Sequence, residues 1–321
     1  MTSAPPLREL APEQALRRLE LTIVRRLDGL LQGDYLGLLP GPGSEPAEAR
    51  EYQAGDDVRR MDWNLTARTT LPHVRDLVAD RELETWLLVD GTASMDFGTG
   101  RVEKRDLAVV AAAAVGFLTE RAGNRVGAYV LRSAGSRHVP ARTGRAHLLA
   151  LLRALLSAPR SPAGGRPHGQ SPGQSHGEPP GIGAGADLLR RTLRRRGLVV
   201  IISDFLEDAA AWEREVRLLA DRHQVLAVEV VDPRELSLPD VGLLTVVDPE
   251  TGRRRDVQTA DRRLRERYAA VAAEHRASTE RALRRAGAAR LPLRTDGDWL
   301  PDIVRHVAAQ RAQERRRGAG R

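Results

Sequence analysis

The sequence predicts an α/β fold: an open, doubly wound, mostly parallel sheet with helices on both faces and an N-terminal extension. Two observations predict it. Short apolar runs recur at Trp86 to Val89, Leu198 to Ser203 and Val225 to Val231, as in strands buried on both faces. Between them lie longer stretches of helical period, and strand and helix alternate from Glu84 onward. A chain of 321 residues with 41% apolar content can bury a sizeable core.

Taken in order, Leu16, Leu19, Leu21, Ile23, Val24, Leu27, Leu30 and Leu31 mark a first helix, stopped by Gly41-Pro42-Gly43. Arg50 to Arg68 follows, dense in charge around Tyr52, Val58, Met61, Trp63 and Leu65. Its Asp56, Asp57 and Asp62 could form an acidic site, but Arg50, Arg59, Arg60 and Arg68 are equal to pairing them, and a structural ion-pair network is the expectation. The strand from Trp86 ends in Asp90. A helix over Arg101 to Arg121 leads through Gly123-Asn124 into a strand at Arg125 to Leu131, an edge strand at Arg137 to Ala141 and a helix at Arg145 to Ser157. Half of residues 159–186 are glycine or proline, so a disordered linker is expected there, with His168 and His176 lacking the fixed geometry of ligands. Helices then fall at Asp187 to Arg196, Ala209 to Arg222 and Asp261 to Ala286, a hairpin at Leu243 to Val257, a last strand at Arg290 to Arg294 and a terminal helix from Asp298. The organisation reads as an N-terminal region over 1–80, an α/β domain over 81–316 interrupted at 159–186, and a basic tail at 317–321, its basic character setting in at Arg311.

Composition removes whole classes of function. Without cysteine there are no disulfides, thiolate metal sites or thiol nucleophiles. Lys104 is the sole lysine, and in Arg-Val-Glu-Lys-Arg-Asp it cannot serve a phosphate-binding P-loop. No run reaches the ~18–20 apolar residues of a membrane span, and the first ten residues lack the pattern of a secretory leader, so a cytoplasmic protein without membrane insertion is expected. The net charge of +8 arises from 51 basic and 43 acidic residues, mostly interspersed on helical stretches such as Asp261 to Arg267. A nucleic-acid module would rest only on that charge and the Arg-rich tail, and four Trp, four Tyr and three Phe offer little for stacking bases. No nucleic-acid partner is expected.

In doubly wound, Rossmann-type sheets, ligands bind at the carboxyl ends of the strands. After the first buried strand stands Asp90-Gly91-Thr92-Ala93-Ser94, three oxygen-bearing side chains at alternate positions of a tight turn. Asp204 leaves a neighbouring strand, and Thr143 follows the edge strand. Two carboxylates and three hydroxyls are a hard-oxygen set suited to Mg²⁺ or Mn²⁺. The structural alternative is that Asp90 and Ser94 merely cap the following turn and helix.

The D-x-T-x-S arrangement resembles the metal-ion-dependent adhesion site of von Willebrand factor A domains. The resemblance implies Thr92, Ser94 and Thr143 as metal ligands or their near neighbours, with Asp90 and Asp204 bound directly or through water. It also implies that the metal takes an Asp or Glu from a partner protein and performs no hydrolysis. Thr92 stands where that family usually has serine, and the hydroxyl is retained. Further motifs, R-E-Y-x-x-G-D-D-V-R-R-M-D-W-N-x-T-A-R from Arg50, L-L-V-D-x-T-A-S-M-D-F-G from Leu87 and I-S-D-F-L-E-D from Ile202, closely resemble the bacterial family called domain of unknown function 58, with Pro46 where the family tends to have phenylalanine. That resemblance implies the shorter, soluble type of member, without the two leading membrane helices of many relatives. It implies an adaptor or co-chaperone of a MoxR-type AAA+ ATPase, with no established enzymatic activity. The competing enzyme reading is a haloacid-dehalogenase-like phosphatase with Asp90 as nucleophile. Such enzymes need a lysine well downstream, whereas Lys104 lies in the very next helix.

Overall fold

The computed structural model describes residues 10–30, 49–52, 61, 63–69, 71–75, 84–121, 123–132, 135–160, 181–249, 252–306 and 309. The Asp56, Asp57 and Asp62 pairings, residues 161–180 of the expected linker and the tail from 310 lie outside these residues.

Helix α1 (Pro12–Leu30) comes first, then β1 (Ala49–Glu51), α2 (Trp63–Thr69) and β2 (His73–Arg75), with β1 and β2 paired antiparallel. The main domain follows as β3 (Glu84–Asp90), a 3₁₀ turn (Ala93–Met95), α3 (Lys104–Arg121), β4 (Arg125–Arg132), β5 (Gly135–Arg142) and α4 (Arg145–Leu156). It continues with α5 (Ile182–Thr192), β6 (Gly197–Ser203), α6 (Ala209–Ala220), β7 (Gln224–Val231) and the short α7 (Pro233–Leu236). The hairpin β8 (Leu243–Val247) and β9 (Arg254–Gln258), helix α8 (Arg262–Arg285), β10 (Ala289–Arg294) and a final helix α9 (299–306) complete it.

Six strands form the central sheet in the order β10-β7-β6-β3-β4-β5, all parallel except the edge strand β5. This is the doubly wound α/β architecture expected, and β3 and β6 lie side by side where the winding reverses direction. The central strands are buried on both faces. Leu87, Val89, Val130, Val200, Ile202 and Val228 share one core with α1, α3, α4 and α9, while Leu88, Leu131, Val199, Ile201 and Ala227 share the other with α5, α6 and α8. Helix α3 is apolar nearly all round because Leu107 to Val115 are all buried. Ala15, Leu16, Leu19 and Ile23 of α1 join that core, so the N-terminal region and the α/β domain pack as one body there.

One boundary moves. Helix α5 begins at Ile182, so residues 182–186 belong to a helix and not to the linker. Glycine makes the close approach possible: a Cβ on Gly183 would lie 2.4 Å from the Ala211 carbonyl oxygen, and one on Gly185 2.7 Å from a Leu88 methyl. Two residues that weaken an isolated helix here let this one sit tightly on α6 and the sheet.

Candidate functional site

The carboxyl ends of β3 and β6 bring Asp90 and Asp204 together at the switch point, each only 7% exposed. Asp90 ends β3. Its Oδ1 accepts hydrogen bonds from the Thr92 N–H at 3.0 Å and the Thr92 hydroxyl at 2.7 Å. Its Oδ2 accepts one from Ser203 Oγ at 2.6 Å. Burial, and then the neighbouring Asp204 carboxylate, push the Asp90 carboxyl above its ordinary range, against these hydrogen bonds. The turn also brings Thr92 Oγ1 and Ser94 Oγ to 3.2 Å from each other. Ala93 and Met95, both buried, anchor that turn from below.

Asp204 has partners of its own. Lys104, 1% exposed at the start of α3, donates to Asp204 Oδ2 at 2.7 Å and also pairs with Glu235. Burial alone would discharge this ammonium, but Asp204 and Glu235 outweigh it and raise its pKa. Asp204 Oδ1 accepts from the Leu206 N–H at 3.2 Å. Phe205 between them has φ +52°, alone in positive φ among the described non-glycine residues. Such a backbone costs roughly 1–3 kcal/mol. It is held by a bond from its N–H to Ser203 Oγ (3.1 Å), by His275 Nε2 donating to its carbonyl (2.9 Å), and by its ring set edge-on against Trp212.

Thr143 does not join the site. Strand β5 runs antiparallel, with Arg142 opposite Val126, whereas Asp90 stands opposite Leu131 at the other end of β4. Five residues of strand, about 16 Å, separate the two levels. Thr143 is exposed at the far edge of the sheet, and the hydroxyl it was expected to supply is absent from the site. The start of α5 lies nearer: the Ile182 N–H donates to Glu207 on the loop after β6. Three residues beyond those expected belong to the site network. Ser203, visible only as the residue before Asp204, braces Asp90; Lys104 and Glu235 complete the charge network around Asp204.

The donor set fits a small hard cation in part. Among the described residues no three carboxylates or imidazoles form a metal cluster, so hydroxyls must contribute. The 3.2 Å between the Thr92 and Ser94 hydroxyls is near the roughly 3.0 Å edge of an octahedron with ~2.1 Å metal–oxygen bonds. Charge agrees: Asp90, Asp204 and Glu235 face one ammonium, leaving two negative charges if all ionise. A carboxyl driven toward protonation by burial and a like charge is one that a cation returns to the anion.

The sheet order and the Asp90-x-Thr92-x-Ser94 loop at its switch point define a von Willebrand factor A-like domain. The chain belongs to the family described as protein of unknown function DUF58, whose model matches residues 48–278. It is 55% identical over 305 residues to the uncharacterized protein Rv1480 of Mycobacterium tuberculosis, covering 95% of this chain and 90% of that one. Among solved structures it is similar to the conserved hypothetical protein BatB of Bacteroides thetaiotaomicron, at 16% identity and TM-score 0.40, covering 71% of this chain and 98% of the other. It is also similar to the SpRpn10 VWA domain, at 11% identity and TM-score 0.37, covering 69% and 93%.

Proposed function

We propose that this protein is a metal-dependent protein-interaction module, an adaptor or co-chaperone acting in the cytoplasm with a MoxR-type AAA+ ATPase. The observation that carries the reading is the pairing of the Thr92 and Ser94 hydroxyls beside two buried carboxylates at the switch point. Thr92 and Ser94 would hold Mg²⁺ or Mn²⁺, with Asp90 and Asp204 contributing directly or through water, since each of their oxygens already accepts a hydrogen bond. When bound, the ion supplies a positive charge with an outward position for an Asp or Glu of the partner. Ser203 and the Thr92 N–H hold Asp90 in place, and the strained Phe205 fixes the direction in which Asp204 leaves β6. Phe97 and Leu206, on the same two loops, are 39% and 48% exposed and offer apolar contact around the polar centre. The MoxR-type partner is inferred from the family resemblance alone.

The same geometry weighs against a phosphatase. Lys104 does reach the site, but Asp204 and Glu235 hold its ammonium, and Asp90 accepts three hydrogen bonds where a nucleophile needs a free oxygen. We accordingly propose that the protein is not an enzyme.

Calorimetric titration with Mg²⁺ tests the metal reading. The wild type should bind in the micromolar-to-millimolar range, because hydroxyl-rich donor sets carry little charge. The Asp90→Ala/Ser94→Ala variant should lose binding while keeping its circular dichroism. Equal affinity in the two proteins would remove the site assignment.

A further inference from the structure

On the α3 side of the same sheet end, three arginines converge. Arg132 is the last residue of β4, one past the partner of Asp90, and its side-chain stem lies beside Gly91 of the metal loop. Arg105 comes from the first turn of α3, and Arg137 from β5, opposite Val130. Arg105 is paired with Asp96. Arg105 Nη1 donates to the Ala158 carbonyl at 3.0 Å, whereas its Nη2 is buried with no hydrogen-bond partner.

Arg132 is the more unusual residue. Its Nε and Nη2 are both buried, and neither has a hydrogen-bond partner. These two nitrogens form one edge of the guanidinium, the edge whose parallel N–H bonds match the two oxygens of a carboxylate. Buried donors left without a partner are costly, because they have given up water and gained nothing in return. Like charges add to that cost: burial first, then Arg137 and Arg105, lower the Arg132 pKa. A native structure sustains such an arrangement where an ion or partner group completes it.

We propose that Arg132, flanked by Arg137 and Arg105, is an anion site that receives a carboxylate of the partner protein, a second acidic group beside the one offered to the metal. This rests on the reading that an acidic segment docks on this end of the sheet. The partner segment would then carry two acidic side chains, one directed at the Thr92–Ser94 loop and one at the Arg132 edge. Arg137, exposed at the rim, would guide the anion in, and Arg132 would turn its inner edge outward to bind it bidentately.

Acetate serves as the probe, with phosphate and chloride at equal ionic strength as comparisons. The protein, labelled with ¹⁵N-arginine, is observed by NMR both in chelator and with saturating Mg²⁺. Acetate should move the Arg132 Nε–H resonance downfield and shift that of Arg137 in both conditions, chloride should do neither, and Arg132→Gln should abolish the Arg137 shift. Arg137→Gln, an exposed change that leaves packing intact, should weaken acetate binding about two- to fivefold, the weight of one exposed ion pair. A response to acetate no larger than to chloride overturns the site, as does one that persists in Arg132→Gln. A response to phosphate alone overturns the carboxylate assignment. In Asp90→Ala/Ser94→Ala the acetate response should survive, so loss of metal binding and loss of the anion site are read separately.

Discussion

At the scale of single residues, Lys104 shows how a sequence can hide a role in plain sight. As the sole lysine it is conspicuous, and fourteen positions after Asp90 it lies too near in sequence to suggest an encounter with Asp204. The fold folds that distance back, because α3 starts at the level of the loops and Lys104 is its first residue. Its ammonium, itself out of contact with water, pairs with both the buried Asp204 and the partly exposed Glu235. Removing one partner of a buried ion pair is costly, since the other charges remain buried. Lys104→Met should therefore lose about 3–5 kcal/mol of stability in urea denaturation. With three carboxylates and no ammonium, the variant should also gain more from Mg²⁺ than the wild type, seen as a larger rise in Tm. A loss below about 1 kcal/mol would mean that the network is hydrated rather than buried. The fate of Thr143 is the counterpart. Its place after an edge strand was legible, but the direction of that strand was not, since apolar pattern and turn residues do not distinguish parallel from antiparallel pairing.

Elements meet at Asp232, the residue that ties the ends of three of them. Wholly buried, it caps α7 through the Arg234 N–H and accepts from the Thr99 N–H (2.7 Å), the Thr99 hydroxyl (2.6 Å) and Thr295 Oγ1 (2.8 Å). It thereby joins the loop before α3 to the end of β10. Burial would raise its pKa, but the bonds from Thr99, Arg234 and Thr295 outweigh it and hold the carboxyl below the ordinary 3.8. A depressed carboxylate stabilises the fold above the ordinary value, and that contribution is lost as pH falls through the folded pKa. The wild type should lose stability in acid below about pH 4. Asp232→Asn should be less stable by about 1–3 kcal/mol at pH 7 and show a shallower acid loss, measured by urea denaturation from pH 7 to 3. Parallel slopes in the two proteins would place the acid sensitivity elsewhere. Elements themselves were unevenly legible. Strands β3, β6 and β7 could be read because a strand covered on both faces must be apolar throughout. The start of α5 could not, because Gly183 and Gly185 signal flexibility locally and serve close packing only once α6 and Leu88 are in place.

For the whole molecule, the excess of arginine and the acidic switch point make opposite predictions about how a partner is held. Many described arginines are spent on surface pairs, among them Arg285 with Glu213, Arg262 with Glu266 and Arg294 with Asp296. Such exposed pairs contribute little and weaken with salt. An interaction carried by dispersed arginines or by the basic tail would fall steeply as ionic strength rises, because charges separated by more than about 8 Å are largely screened at physiological salt. Coordination at the Thr92–Ser94 loop depends instead on the ion and on desolvated donors, where screening is weak. The complex with the AAA+ partner should therefore vanish in chelator or with Thr92→Ala/Ser94→Ala. It should persist through moderate salt and tolerate deletion of residues 311–321, as followed by calorimetry or analytical ultracentrifugation. A complex indifferent to chelator that collapses between low and physiological salt would assign the interaction to the arginine surface. Asp90 and Asp204 would then be structural carboxylates, and the switch point would serve the fold alone.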